Sequence, residues 1–355
     1  MNRLNEPTII FRCDGGSLPE TGTGHIRRCL NLALLLREKY GINSRFLTRD
    51  LDGRPPDALY YRFPVHLIPP VPNWEKTAMR IVQRIDPSLV VVDLLDKGSS
   101  FLETLSIETP EIPTITMDDT GMGLDFATCS INSILEHPKA TYNGPDYLIL
   151  SSGVTEVDEP QKKVEEIFLC FGGYDHNDLT VKVLEAVTVL KRRFKVTVLV
   201  GRAFLNEEVL ISITENKNVE RVDIIKETSN IAYLLKKADI GIVSGGLTLY
   251  EAMNCGLPVM VLSQYEHQAI TAARFHKAKA VIDLGLGSKV VESRLVAELE
   301  NLCDDYRSRL SLSSKAASLV DGKGINRVAE IINNMVTEKT KKLQSFIPLH
   351  DKIGV

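Results

Sequence analysis

The chain has 355 residues, 44% of them hydrophobic and 25% charged, with a formal net charge of −4. That length accommodates two domains with separate cores, and the weak negative charge argues against nucleic acid as a main partner, the one basic run being Lys339–Lys342. Met1–Pro7 is polar, no apolar run reaches membrane-spanning length, and six scattered cysteines contain no C-x-x-C, so the sequence reads as a cytoplasmic protein with reduced, buried thiols and no structural zinc.

In chain order, Thr8–Cys13 is an apolar run of strand length, and His25–Tyr40 places Ile26, Cys29, Leu30, Ala33 and Leu36 on one helical face. Ser44–Thr48 and Val65–Ile68 read as strands and Lys76–Ile85 as a helix. Leu89–Asp93 and Pro113–Met117 read as continuous buried strands. Unbroken apolar strands alternating with helices predict a parallel sheet covered on both faces. Residues 153–165 are polar and separate a first domain, 1–152, from a second, 166–336. The alternation then restarts: strand Ile167–Cys170, helix Leu179–Lys191, strands Lys195–Val200 and Val222–Ile225, helix Ile231–Lys237, and helices over Ser293–Asp304 and Ile325–Val336. Residues 337–355 read as a weakly patterned tail. The expected fold class is α/β, with two Rossmann-like doubly wound domains facing across a cleft that lies at the carboxyl ends of their strands.

Two glycine-bearing segments carry chemistry. Asp239–Leu262 reads as a buried strand, a glycine turn, a helix opening and a second strand after Pro258, with Ser244-Gly-Gly-Leu-Thr-Leu-Tyr-Glu251 at its centre. Glycines there let backbone N–H groups approach phosphate oxygens, and the helix N-terminus adds positive potential. Ser244, Gly245, Gly246 and Thr248 are therefore candidate diphosphate contacts, and Glu251, one turn into the helix, is a candidate ribose ligand. Thr248-x-x-Glu251 also matches a capping box, which would stabilise a helix in any protein.

The second segment runs from Phe11 to His25, between the first strand and the first helix. It is not a Walker loop, because no G-K-[ST] follows, and Gly22-x-Gly24 lacks the third glycine of a dinucleotide fingerprint. His25 opens the helix, whose positive end favours an uncharged imidazole able to act as a general base; the alternative is a histidine that merely packs against the loop. Of Arg27 and Arg28, one could face a phosphate or carboxylate while the other is solvated.

Phe11-Arg-Cys-Asp14, Gly22-x-Gly24-His25-x-x-Arg28-Cys29, Val91-Val-Asp93, Met117-Asp-Asp119, Cys170-Phe-Gly-Gly-Tyr-Asp175, Asn177-Asp-Leu-Thr180 and the Ser244–Glu251 block occur in this order. Together they resemble the UDP-sugar hydrolases of pseudaminic acid biosynthesis, a group that includes proteins named for spore coat polysaccharide synthesis. The stretch from Ile231 to Gln268 is also similar to the N-acetylglucosaminyltransferase that makes lipid II. The resemblance covers most of Thr8–Gly285 and implies a GT-B fold with the nucleotide held mainly by the second domain. It implies hydrolysis of a UDP-linked (di)acetamido deoxy sugar to free sugar and UDP, without metal or cofactor, in nonulosonic acid or surface polysaccharide biosynthesis.

The resemblance makes His25 the group that activates or positions water, Gly245 and Gly246 the phosphate turn, Glu251 the ribose ligand and Ile225 the backbone facing uracil. Asp14, Gly22, Gly24 and Arg28 join them as candidate substrate contacts. Gly172 and Gly173 lie beside the cleft or serve only a turn. Asp93 and Asp96 orient His25, bind sugar hydroxyls, or are solvated. Gln264 and Gln268 hydrogen-bond sugar hydroxyls or sit exposed at a helix start. Asp118 and Asp119 point to opposite faces of an extended segment, so they do not share one ion, and one of them braces a loop. Asp175, Asn177 and Asp178 read as turn and cap residues. Tyr60, Tyr61 and Trp74 cover the cleft or pack a loop. Three departures from the hydrolases stand out: Leu95 where a tyrosine is usual, Ser263-Gln264-Tyr265-Glu266 in place of an Asn-Gln pair, and Leu148-Ile149-Leu150-Ser151 in place of Leu-Leu-Arg. The competing functions are a GT-B glycosyltransferase using a UDP-sugar donor and a nucleotide-binding protein without turnover.

Overall fold

The structure is a computed structural model that describes residues 6–15, 24–49, 62–69, 71–94, 100–150, 157–201, 204, 206–214, 219–226, 228 and 230–345. Gly22, Tyr60, Tyr61, Leu95, Asp96 and Ser151 lie outside the described residues. The chain divides into two compact units, one of Met1–Ile149 with Lys323–Val355 and one of Leu150–Gly322.

The first unit contains β1 (Thr8–Cys13), α1 (Gly24–Tyr40), β2 (Asn43–Arg49), β3 (Val65–Ile68), α2 (Trp74–Ile85), β4 (Leu89–Asp93), α3 (Ser100–Glu108), β5 (Thr114–Met117), the single turn α4 (Gly123–Phe126), β6 (Cys129–Asn132) and β7 (Tyr142–Asn143). Its strands pair in parallel in the order β3-β2-β1-β4-β5-β6-β7. Every residue of β4 is buried, as a β-branched run in a sheet covered on both faces requires. In α1 the buried positions Ile26, Cys29, Leu32, Ala33 and Leu36 follow helical spacing and join Phe11, Leu89, Val91 and Ile115 in one core.

The second unit contains β8 (Glu166–Cys170), α5 (Leu179–Thr188), β9 (Lys195–Val200), α6 (Glu207–Thr214), β10 (Arg221–Lys226), α7 (Ile231–Lys237), β11 (Ile240–Val243), α8 (Leu247–Asn254), β12 (Val259–Ser263), α9 (Glu266–Lys277), β13 (Ile282–Leu286), α10 (Glu292–Asp304) and α11 (Tyr306–Leu319). The six strands are parallel, in the order β10-β9-β8-β11-β12-β13. Both units are Rossmann-like α/β domains, the architecture of the GT-B type.

The last helix, α12 (Gly324–Ser345), groups with the first unit. Val328, Ala329, Ile332 and Val336 pack into the same core as α1, and Lys339 Nζ donates to the Pro87 carbonyl at 2.8 Å. The boundary expected between 336 and 337 falls inside this helix. Sequence order assigned the helix to the domain that precedes it, but its apolar stripe completes the first unit's core. No helix among the described residues is long and apolar enough to cross a membrane.

In each sheet the strand order reverses once, between β1 and β4 and between β8 and β11. Neighbouring connections there leave the sheet on opposite faces, which opens a crevice at the strands' carboxyl ends. The register pairs Cys13 with Asp93 at the first reversal and Val243 with Cys170 at the second.

Candidate active site

At the first reversal the carboxyl end of β4 presents Asp93, and the first turns of α1 present His25, Arg28 and Cys29. His25 Nδ1 lies 2.5 Å from Asp93 Oδ1. Arg28 Nε donates to Asp93 Oδ2 at 2.5 Å, and its Nη2 donates to Oδ1. The Cys29 thiol stands 3.4 Å from Asp93 Oδ2. Burial opposes ionisation of Asp93, yet Arg28 and His25 outweigh it and hold the carboxyl well below its ordinary value. The group is therefore a carboxylate, and a carboxylate only accepts, so Nδ1 carries the hydrogen, which in the neutral ring makes Nε2 the proton-accepting nitrogen. His25 retains 18% side-chain exposure while Asp93 has none. Asp93 is thus placed to orient the imidazole; it has no surface with which to bind a sugar hydroxyl. Burial above all, then the adjacent Cys13 thiol, pushes the Cys29 thiol well above its ordinary value, so Cys29 acts as a neutral donor. All six cysteines are buried and unpaired.

Arg28 is buried and makes a second ion pair, from Nη1 to Asp118 Oδ2. Burial opposes its charge, but Asp93 and Asp118 raise it well above the usual guanidinium value. Arg28 is therefore occupied with two carboxylates and is not a solvated or substrate-facing cation. Asp118 sits just past β5 with φ +50° and accepts backbone hydrogen bonds from Ser133, Ile134 and Leu135 at 2.7, 2.8 and 3.2 Å. Asp119 braces its own loop, accepting from Gly121 N at 2.7 Å and Thr116 Oγ1 at 3.2 Å. The bridge from Asp118 to Arg28 was not evident in the sequence. Its signal was positional: Met117-Asp-Asp119 ends the strand beside β4.

Asp14 takes a role other than the expected substrate contact. Arg12 grips both its oxygens, and Arg49 reaches it through backbone N at 2.8 Å and Nε at 2.7 Å. Burial disfavours its charge, but Arg12 and then Arg49 hold it below the ordinary value. Both guanidiniums stack on Trp74, at 4.4 and 5.3 Å from the ring centroid. Trp74 is 9% exposed and packs against Phe101, so it is core rather than a cover. Gly24 is exposed at the start of α1, with no atom of the described residues near the place a Cβ would occupy.

At the second reversal Ser244 N donates to the Cys170 carbonyl at 3.2 Å, and the chain turns through Gly245 and Gly246 into α8. Gly246 is the N-cap, with no side-chain cap hydrogen bond. The capping-box alternative therefore does not describe this helix: Thr248 lies within its first turn, with Oγ1 3.8 Å from Cys170 Sγ. The two glycines are not equivalent. A Cβ on Gly245 would lie 2.6 Å from the Gln268 carbonyl oxygen, so α9 packs directly on its backbone, whereas one on Gly246 would meet nothing nearer than 3.7 Å. Ser244 and Glu251 are buried, Thr248 and Gln268 are half-buried, and Ile225 is half-buried on the edge strand β10. Gly172 and Gly173 lie exposed just past β8, Gly172 at φ +91°.

Gln264 departs from its expected place at a sugar. It is 6% exposed, and both ends of its amide are engaged inside the protein. Nε2 donates to Asp175 Oδ1 at 2.5 Å, Oε1 accepts from Asn177 Nδ2 at 2.9 Å, and its backbone N donates to Gln268 Oε1 at 2.9 Å. Asp175 in turn accepts from Leu179 N at 3.0 Å and Thr180 N at 2.6 Å, capping α5. Gln264 ties the β8 and β12 loops together, a role that sequence spacing could not show.

No family model matches the chain. The chain is 30% identical over 342 residues to the spore coat polysaccharide biosynthesis protein SpsG of Bacillus subtilis, covering 92% of this chain and 98% of that protein. The fold matches the crystal structure of MurG from Acinetobacter baumannii with a TM-score of 0.74 at 14% identity, over 92% of this chain and all of that one (100%). It also matches the spinosyn rhamnosyltransferase SpnG complexed with thymidine diphosphate, with a TM-score of 0.63 at 15% identity, over 93% and 99% of the two chains. With this extent of identity and coverage, the chain belongs to the family of the spore coat polysaccharide biosynthesis protein SpsG.

Proposed function

We propose that this protein binds a UDP-linked (di)acetamido deoxy sugar and hydrolyses it to UDP and the free sugar, as a step in surface polysaccharide synthesis. The observation that carries the reading is the histidine–carboxylate pair at the first strand reversal, His25 Nδ1 against buried Asp93 at 2.5 Å. An imidazole held in that tautomer presents Nε2 to accept a proton from water as the water oxygen bonds to the anomeric carbon. The anomeric C–O bond breaks, and its electron pair leaves on the β-phosphate oxygen of UDP. The nucleotide belongs to the second unit. Its diphosphate sits against Gly245 and Gly246 at the uncapped opening of α8, where backbone N–H groups and helix potential carry the developing negative charge. Glu251 accepts from ribose hydroxyls, and the backbone at Ile225 faces the base. The name of the SpsG relative supports a polysaccharide role, and the thymidine diphosphate held by the rhamnosyltransferase of like fold supports a nucleoside diphosphate ligand.

A second reading is glycosyl transfer, with an acceptor hydroxyl in place of water. It is favoured by Gln264, an internal brace at the position where the hydrolases carry an Asn-Gln pair. UDP release from a panel of UDP-N-acetyl amino sugars, measured with and without cell-extract acceptors, separates the two. Release without acceptor is the expected result; release only with acceptor replaces hydrolysis by transfer, and tight UDP binding with no release under either condition rejects both.

A further inference from the structure

We propose that Asp118 is a positioning residue for the His25 imidazole, acting through Arg28 to leave one net negative charge behind the ring. The inference rests on the reading of His25 as the proton acceptor. Among the described residues, the charged and titratable groups linked to the imidazole, directly or through a neighbour, come from four elements. Asp93 ends β4, Arg28 and the neutral Cys29 thiol lie on α1, the Cys13 thiol ends β1, and Asp118 follows β5. Asp93 and Arg28 alone form a neutral pair. A neutral pair orients an imidazole but offers little to a ring that gains positive charge as it takes a proton. Asp118 adds a second carboxylate to the one guanidinium and restores a net negative cluster.

Its geometry fits that task. Asp118 holds the Nη1 edge of Arg28, which turns Nε and Nη2 squarely onto Asp93. Three backbone amides of the loop after β6 fix the carboxylate, so it cannot swing toward solvent. The Ser133 hydroxyl adds a contact at 3.3 Å. The same relay explains why a buried arginine lies under a catalytic imidazole: an Arg28 without its second partner would cancel the charge that Asp93 supplies.

Asp118→Asn is the informative variant, because asparagine tolerates φ +50° and its carbonyl still accepts from the three amides, while its NH2, a donor, cannot accept from Arg28 Nη1. Arg28→Gln is its counterpart. The charge relay predicts that a 15N-resolved titration of the His25 ring moves to lower pH in Asp118→Asn and to higher pH in Arg28→Gln. With a UDP-sugar that the parent protein turns over, Asp118→Asn lowers kcat about tenfold with KM little changed, and the acid limb of the pH–rate profile follows the ring titration. Shifts of the same sign in the two variants, or a parental titration in Asp118→Asn, overturn the proposal in favour of a purely structural brace. Should Asp118→Asn fail to fold, the Arg28→Gln titration decides alone: a shift upward supports the relay, and no shift or a shift downward rejects it. A parent protein that releases no UDP defeats the hydrolase reading, while the ring titrations still test the relay.

Discussion

The two strand reversals in this chain occupy the same place in the same kind of sheet, yet they are furnished in opposite ways. The first is crowded with buried charge: Asp93, Arg28 and Asp118 in one cluster, Arg12, Asp14 and Arg49 in another. The second is built mainly from glycines, a serine, a threonine and an uncapped helix opening, and its buried carboxylates differ in kind: Asp175 is held by backbone amides and Gln264, and Glu251 lies one turn into α8. Buried ions are costly to desolvate and persist only where each is paired and hydrogen-bonded, so a cluster of them fixes side chains in one arrangement. That is what an oriented imidazole requires. Backbone amides carry no counter-charge of their own and suit an incoming anion. On the proposed reading, the same topology serves a proton-handling end in one unit and an anion-receiving end in the other.

The contrast is sharpest at His25. His25→Ala is expected to lower kcat by about 10²- to 10⁴-fold while leaving UDP affinity near the parental value, since the proposed nucleotide contacts lie on other residues, Gly245, Gly246 and Glu251. Steady-state kinetics paired with UDP titration calorimetry check this; turnover at the parental rate removes His25 from the mechanism.

The next effect separates the neighbouring glycines of the second reversal. Gly246→Ala has room for its methyl group, so thermal stability is expected to hold while UDP affinity falls about tenfold as the methyl intrudes on the phosphate site. Gly245→Ala drives a methyl group into the Gln268 carbonyl oxygen and is expected to cost about 1–3 kcal/mol of stability. Equal behaviour of the two variants in unfolding and binding would show that the turn does not meet phosphate.

Acid should act first on the charged reversal. Asp93 and Asp14 have folded values below their ordinary ones, so each contributes stability that is complete above the unfolded value and is lost as pH falls through 3.8 toward the depressed folded value. Unfolding followed between about pH 6 and 3 is expected to show the first unit weakening before the second. Asp93→Asn, already lacking that charge, should show a shallower loss over the same range.

The smallest effect concerns Gln264. As an internal tie it predicts that Gln264→Ala costs about 1–3 kcal/mol of stability by stranding Asp175 and Asn177, with KM for the sugar nucleotide little changed. A raised KM in a protein of parental stability would return Gln264 to the sugar.

Much of the framework was legible in the chain. Leu89–Asp93 as a buried strand and the helical face of Ile26, Cys29, Ala33 and Leu36 follow from periodicity, which depends only on residue order, although Leu30, expected on that face, is half-buried and Leu32 takes the core place. Elements with weak periodicity escaped: Tyr306–Leu319 is rich in serine and buries Arg309 beside Leu312 and Ala316, and Ile282–Leu286 is interrupted by Gly285. At the site, Gly245-Gly246 after a buried strand and His25 at a helix opening were visible as local signals; the close approach of Gln268 requires glycine at 245, whereas 246 has room for a side chain.

By itself, then, the sequence determined the parallel α/β pattern, the glycine turn into α8 and the histidine in the first turn of α1, because backbone conformation and side-chain alternation are local properties. Only the tertiary structure decided that Asp14 and Gln264 are internal braces, that Arg28 bridges Asp93 and Asp118 across 65 and 90 residues of chain, and that the last helix completes the first unit. Charged and amide side chains of one type read alike along a chain. Which of them meets a partner is settled by long-range strand pairing and by the cost of leaving a buried polar group unpaired.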